Sequence, residues 1–232
     1  MTVLTVTDLF CGAGGSSTGA IAIAGVEVRI GSLFSGAGGL DIAVQQVFNG
    51  HVIWHCEPET VTEKGGKPKP NPAIKILETR WPGVPNLGDI TQVDWSTVEP
   101  VDVVCGGFPC QDISAAGSQS GMGAGTRSGL WSVMCHAISV LRPRWVVAEN
   151  VRNLLSVEAN RSVESEGDSL GDGGYRPVLR GLGAVLGDLA GIGYDAQWTT
   201  VSAASVGAPH RRERVFILAY PAGESGSVVY GN

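Results

Sequence analysis

Short runs of β-branched and other apolar residues alternate along this chain with stretches whose apolar residues recur at helical spacing. That alternation limits the architecture more than any other feature. Candidate strands fall at 3–10, 26–34, 52–56, 101–105, 145–148, 196–201 and 214–219, and candidate helices at 16–24, 40–48, 73–80, 130–141 and 178–189. Strands apolar on both sides must be covered on both sides, and helices with one apolar stripe supply the cover. The expected fold class is α/β, a mostly parallel sheet with helices on both faces. A chain of 232 residues can bury such a core without disulfides. Two stretches read as loops: TEKGGKPKPNP at 62–72, an insertion, and the acidic segment 156–174, a mobile surface stretch.

Charge narrows the choice of partners. With 16 Lys+Arg against 22 Asp+Glu the formal charge is -6. A protein that holds nucleic acid by bulk electrostatics is basic, so any such contact here must be local. Arg211, Arg212 and Arg214 cluster, and Arg127, Arg142, Arg144 and Arg152 are expected near the same edge. No apolar run reaches the roughly 18 residues of a membrane span, and no basic segment precedes an apolar stretch at the N-terminus. Five Cys without CxxC spacing suit free thiols in a reducing compartment. The expectation is a soluble, cytoplasmic protein. A metal is not expected, because alternation along a strand sends His55 and Cys56 to opposite faces and no second cluster completes four ligands.

Seven of the 34 glycines fall in two copies of one strand–loop–helix unit, DLFCGAGGSSTGA at 8–20 and SLFSGAGGLDIA at 32–43, whose phenylalanines lie 24 residues apart. A Gly-rich turn lets a ligand approach the backbone. In nucleotide-binding folds an acidic residue about 20 positions later, at the end of the next strand, binds ribose hydroxyls. From Phe34 that step reaches Glu57, whereas from Phe10 it lands where no carboxylate exists. The second copy is therefore the working loop. Neither copy has the Lys-Ser/Thr of a phosphate loop. Glu57 for a ribose and Asp89 for an adenine amine suit an adenosyl cofactor without a pyrophosphate.

Farther on, GGFPCQDIS (106–114) follows the apolar run VDVVC, so that Pro109 stiffens a turn presenting Cys110 at the carboxyl end of a strand. Ligands collect at that edge of an open α/β sheet. WVVAENVRN (145–153) reads as a second strand ending in a carboxylate, Glu149, and GAPHRRERVFILA (207–219) places Arg212 and Arg214 two apart, on one face of extended backbone.

Taken together and in this order, these segments resemble the C5-cytosine DNA methyltransferase family. SLFSGAGGLD resembles its first motif, Glu57 its second, GDIT (88–91) its third, GGFPCQDIS the nucleophile motif, ENVRN the glutamate motif and APHRRERVF the arginine motif, with His210 where Gln is usual. The resemblance implies a Rossmann-like S-adenosylmethionine methyltransferase fold and methyl transfer to C5 of cytosine in double-stranded DNA through a covalent Cys110 adduct to a flipped-out base. It implies catalytic roles for Cys110, Glu149, Arg212 and Arg214. It further implies S-adenosyl-L-methionine contacts from Phe34, Ser35, Gly36, Gly38, Gly39, Glu57, Asp89, Ile90, Pro109 and Leu130.

The expected organisation is a duplicated unit at 1–29, a catalytic domain at 30–220 and a short tail at 221–232. A target-recognition region and the family's last motif are expected to be absent, supplied in an active species by a partner chain. Two alternatives stay open: a catalytically inactive remnant that keeps the fold and its cofactor, and a methyltransferase of RNA cytosine.

Overall fold

The computed structural model describes residues 27–62, 66–109, 129–157 and 180–224. The expected unit at 1–29 and Cys110 lie almost wholly or wholly outside these residues. Among the described residues the chain forms β1 (Val28–Leu33), α1 (Gly39–Phe48), β2 (Gly50–Cys56), β3 (Thr60–Val61), β4 (Lys69–Pro70), α2 (Pro72–Arg80), β5 (Val103–Gly107), α3 (Leu130–Leu141), β6 (Trp145–Val151), α4 (Gly181–Gly191), β7 (Tyr194–Ser202) and β8 (Glu213–Pro221). A six-stranded sheet runs in the order β2-β1-β5-β6-β8-β7. β2, β1, β5 and β6 are parallel, and β8 enters antiparallel to both β6 and β7.

Alternation along the strands builds two apolar layers. Val28 and Ile30 of β1, Val103 and Cys105 of β5, and Trp145 and Val147 of β6 pack with Val44 and Phe48 of α1. Leu33, Val104, Val146 and Ala148 face the other way, against Trp131, Met134 and Ile138 of α3 and Leu182, Val185 and Leu189 of α4. Helices thus cover both faces, as the double-sided apolar strands require.

The structure departs from the sequence expectations at several boundaries. Residues 62–72 are not all loop: β3 and β4 pair antiparallel, with Val61 opposite Lys69. The helix expected from 178 starts at Gly181. β6 runs two residues past Glu149, to Val151, because β8 pairs with it there. The chain before GDIT bridges β2 at Asn86, opposite His55, and Asp89 then sits in a turn where its Oδ1 accepts from the Thr91 N–H at 2.9 Å. Arg142 and Arg144 precede β6 and so lie at the amino end of the sheet, away from Glu149. Arg142 caps α3 and donates to the Ile192 carbonyl at 2.5 Å.

Candidate active site

Strand order creates the crevice. From β1 the chain turns outward through α1 to β2, then later returns on the other side of β1 as β5. Ligands bind at the carboxyl ends of strands at such a switch point. The loop leaving β1 there winds tightly. Phe34, Gly36 and Gly38 all have positive φ, at 52°, 52° and 75°. For Phe34 this is an uncommon conformation of the sort that gathers at functional sites. It is held by the Phe34 N–H donating to the Cys56 carbonyl at 2.9 Å. Among the described residues a Cβ on Gly36 would meet only the Phe34 carbonyl oxygen, at 4.0 Å, and one on Gly39 would meet nothing. The loop is open on that side.

Glu57 closes the crevice from β2. Its Oε2 accepts from the Gly36 N–H at 3.0 Å and its Oε1 from Asn71 Nδ2 at 2.8 Å. Its backbone is fixed as well: the N–H donates to Asn86 Oδ1 at 3.0 Å and the carbonyl accepts from Asn86 Nδ2 at 2.9 Å. Asp89 is exposed nearby, with Ile90 buried behind it. Burial, then Asp89, then Glu57 push the Cys56 thiol up to about 12. The two carboxylates therefore share one end of β2.

Beneath the loop lies a polar cluster that the sequence reading missed. Ser32 Oγ and Ser35 Oγ are 2.6 Å apart, and Cys105 Sγ lies 3.5 Å from Asp41 Oδ1. Asp41 is 1% exposed, and its Oδ2 has no hydrogen-bond partner among the described residues. Burial is the main reason that its carboxyl titrates above its usual value. A carboxyl group whose folded value is raised contributes most below its unfolded value, and that contribution is lost as pH rises through the folded value. We expect Asp41→Asn to gain thermal stability relative to the parent chain at pH 8, and the difference to shrink toward pH 5. Paired melting curves across that range check it. A constant difference would count against a titrating Asp41.

The other half of the candidate site stands one strand over, on the α1 face of the sheet. Gly107 pairs with Glu149, and Val151 with Arg214, so Glu149 and Arg214 are diagonal neighbours. Arg214 Nε donates to Glu149 Oε1 at 2.6 Å, with both side chains partly buried. A Cβ on Gly107 would come within 3.2 Å of Glu149 Oε2, so glycine there leaves room for the carboxyl group. Burial raises the Glu149 carboxyl above its ordinary value, against the lowering pull of Arg214 and then Arg212. Arg212 precedes β8 and is exposed.

Two contacts steady the chain as it leaves β5 toward position 110. Asn150 Nδ2 donates to the Phe108 carbonyl at 2.9 Å. The Phe108 ring packs on Trp131 with centroids 4.7 Å apart, and Trp131 Nε1 donates to Asp188 Oδ2 at 2.8 Å. Leu130 opens α3 beside Trp131, and Pro109 is exposed. The structure therefore gathers Phe34, Ser35, Gly36, Gly38, Gly39, Glu57, Asp89 and Ile90 at one end of β1 and β2. It gathers Glu149, Arg214, Arg212 and Pro109 at the same edge of β5, β6 and β8.

Sequence comparison matches residues 28–227 to the family described as C-5 cytosine-specific DNA methylase. The chain belongs to that family. It is 31% identical over 197 residues to the type II methyltransferase M2.BsuMI of Bacillus subtilis (strain 168), covering 83% of this chain and 42% of that protein. It is 26% identical to M.NgoBV of Neisseria gonorrhoeae, covering 82% and 41%. The chain thus spans about two fifths of the length of these curated relatives. Among solved structures, the Dnmt2 methyltransferase of S. pombe superposes with a TM-score of 0.58 at 13% identity, over 85% of this chain and 52% of that one. A likeness at that identity speaks for the fold, here the Rossmann-like methyltransferase sheet. Among the described residues no helix is long and apolar enough to cross a membrane, and no group of His, Cys, Asp and Glu could hold a metal ion.

Proposed function

We propose that this chain is the catalytic part of an enzyme that transfers a methyl group from S-adenosylmethionine to C5 of cytosine in DNA. The catalytic unit is residues 30–220, acting on a base turned out of the duplex. Selection of the target sequence belongs to a region or partner chain outside this unit. The observation that carries the proposal is the Glu149–Arg214 pair, partly buried beside Gly107, in a member of the C-5 cytosine methylase family.

The crevice suits the cofactor by its chemistry. An open, glycine-lined turn lies against the carboxylates Glu57 and Asp89, a set matched to a cationic nucleoside that carries no phosphate. Glu57 would take the ribose hydroxyls, since a carboxylate that already accepts two bonds keeps free lone pairs. Phe34, Ser35, Gly36, Gly38 and Gly39 would cradle the nucleoside, with Asp89 and Ile90 at the adenine and Pro109 and Leu130 toward the methionine. When bound, S-adenosylmethionine supplies an electrophilic methyl group.

The protein's own work concerns the cytosine. Its C5 is a weak nucleophile. Addition of the Cys110 thiolate to C6 forms a C–S bond and moves the C5–C6 π electrons so that C5 gains enamine character. Negative charge reaching N3 is relieved by a proton from Glu149, whose raised carboxyl retains that proton to higher pH than an exposed one. Arg214 orients Glu149, and Arg212 presents fixed positive charge toward the O2 edge and nearby phosphate. C5 would then take up the methyl group as its bond to the sulfonium sulfur breaks, and loss of the C5 proton to a base would expel the thiolate from C6 while the N3 proton returns to Glu149. The C6 face is stacked inside a duplex, so the target must leave the helix.

A duplex containing 5-fluorocytosine tests the reading, because fluorine at C5 cannot leave as a proton and the adduct persists. We expect the chain with S-adenosylmethionine to form a denaturation-stable complex with that duplex, and Cys110→Ser to form none. A parent chain that binds cofactor and duplex yet gives no adduct would favour a noncatalytic remnant. Adducts on a fluorinated RNA but not on DNA would shift the substrate class.

A further inference from the structure

The insertion at 62–72 is the part of the sequence that the proposed function leaves unused, yet its last residues reach the crevice. β3 and β4 form a short ladder, and the Asn71 N–H donates to the Glu59 carbonyl at 2.8 Å, closing the excursion. Asn71 itself is 8% exposed and every polar atom of its side chain is engaged. Oδ1 accepts from the Ala73 N–H at 3.1 Å and caps α2, where Pro72 opens the helix. Nδ2 donates to both Glu57 Oε1 and the Pro58 carbonyl, at 2.8 Å each. One end of the amide starts a helix while the other grips the carboxylate.

We propose that Asn71 is a positioning residue for cofactor binding, and that the β3–β4 insertion serves to deliver it to Glu57. A Glu side chain has freely rotating torsions, and ordering it on binding costs entropy. Here the cost is met in advance. Gly36 holds Oε2 and Asn71 holds Oε1, so the carboxylate is fixed in one orientation across the mouth of the glycine turn. The carboxyl groups near Glu57 are Asp89 at the end of β2 and Asp41 under the loop, and the Cys56 thiol lies beside them; none of these can donate as Asn71 does while ionised.

The inference rests on the cofactor reading above, and the test separates the two. Asp caps a helix as well as Asn does, so Asn71→Asp keeps the bond to Ala73 while replacing the donor by a second acceptor against Glu57. Calorimetric titration with S-adenosylhomocysteine reads binding without any turnover. We expect Asn71→Asp to weaken binding at least about tenfold at pH 8, with recovery toward pH 6 as the two facing carboxyl groups come to share a proton. The parent chain should show no such recovery. Asn71→Ser, which also caps but carries neither the amide nor a charge, should bind less tightly than the parent without the new pH dependence. Melting curves check that α2 stays formed. Equal affinity of Asn71→Asp and the parent across pH overturns the inference alone, as does a pH-independent loss that follows a fall in thermal stability. A parent chain that does not bind S-adenosylhomocysteine overturns the cofactor reading and this inference together.

Discussion

Replacing Glu149 by Gln should slow adduct formation on fluorocytosine DNA by about 10²–10⁴-fold, the usual range for removing a general acid. Gln keeps the shape and an acceptor for Arg214 Nε, which lies 2.6 Å from Glu149 Oε1, so the β6–β8 edge should stay intact. It has no proton to transfer to N3. The pH dependence gives a second, independent signature. A carboxyl raised by burial stays protonated to higher pH, and the rate of the parent chain should fall as pH rises through that value. The Gln variant should lose that falling limb and keep only the rise with pH that comes from forming the Cys110 thiolate. Single-turnover trapping between pH 5 and 9 measures both. A rate within threefold of the parent, or an unchanged limb, would remove Glu149 from the mechanism.

The largest structural effect should come from a single methyl group within the core of β1. A Cβ on Gly31 would lie 2.0 Å from a ring carbon of Trp54, and the indole cannot easily yield. Its Nε1 donates to the Glu99 carbonyl at 3.0 Å and its ring packs 6.0 Å from that of Trp95. Trp54 is 2% exposed and lies across β1, where the register shifts between Ile30 and Gly31. Overpacking of this kind costs about 1–3 kcal/mol or more. In a domain of this size that corresponds to a melting midpoint lower by roughly 2–12 °C. Gly31→Ala should therefore melt well below the parent, and combining it with Trp54→Leu should cost less than the sum of the two single changes. A neutral Gly31→Ala would mean that Trp54 packs elsewhere.

These two positions mark the limits of a sequence reading. The apolar run of β6 leading to Glu149 was legible because such a run meeting a carboxylate is a local pattern, although the strand itself continues to Val151. The core of β6 and the full extent of α3 were legible for the same reason, as periodicity records which side of an element is dry. Gly31 was not, because nothing within the run VRIGSL announces that a tryptophan from the neighbouring strand needs its missing side chain. The excess length of β6 beyond Glu149 was likewise hidden, being set by β8 pairing from more than 60 residues away. Asn71 shows the intermediate case. An Asn before a Pro marks a helix start in the sequence alone, but its second bond to Glu57 exists only once the insertion folds back.

What the amino-acid order determined by itself was the alternation of strand and helix, the glycine turn with Glu57 spaced to meet it, and the identity of the residues on offer for chemistry. Those features depend on neighbours along the chain. Tertiary structure alone decided that the turn sits where strand order reverses and that Arg214 lies against Glu149. It alone sealed Asp41 under the loop and placed Arg142 and Arg144 at the opposite end of the sheet. Each of those outcomes depends on which strands pair and on how much water is excluded between them, and burial and pairing are properties of residues distant in sequence and close in space.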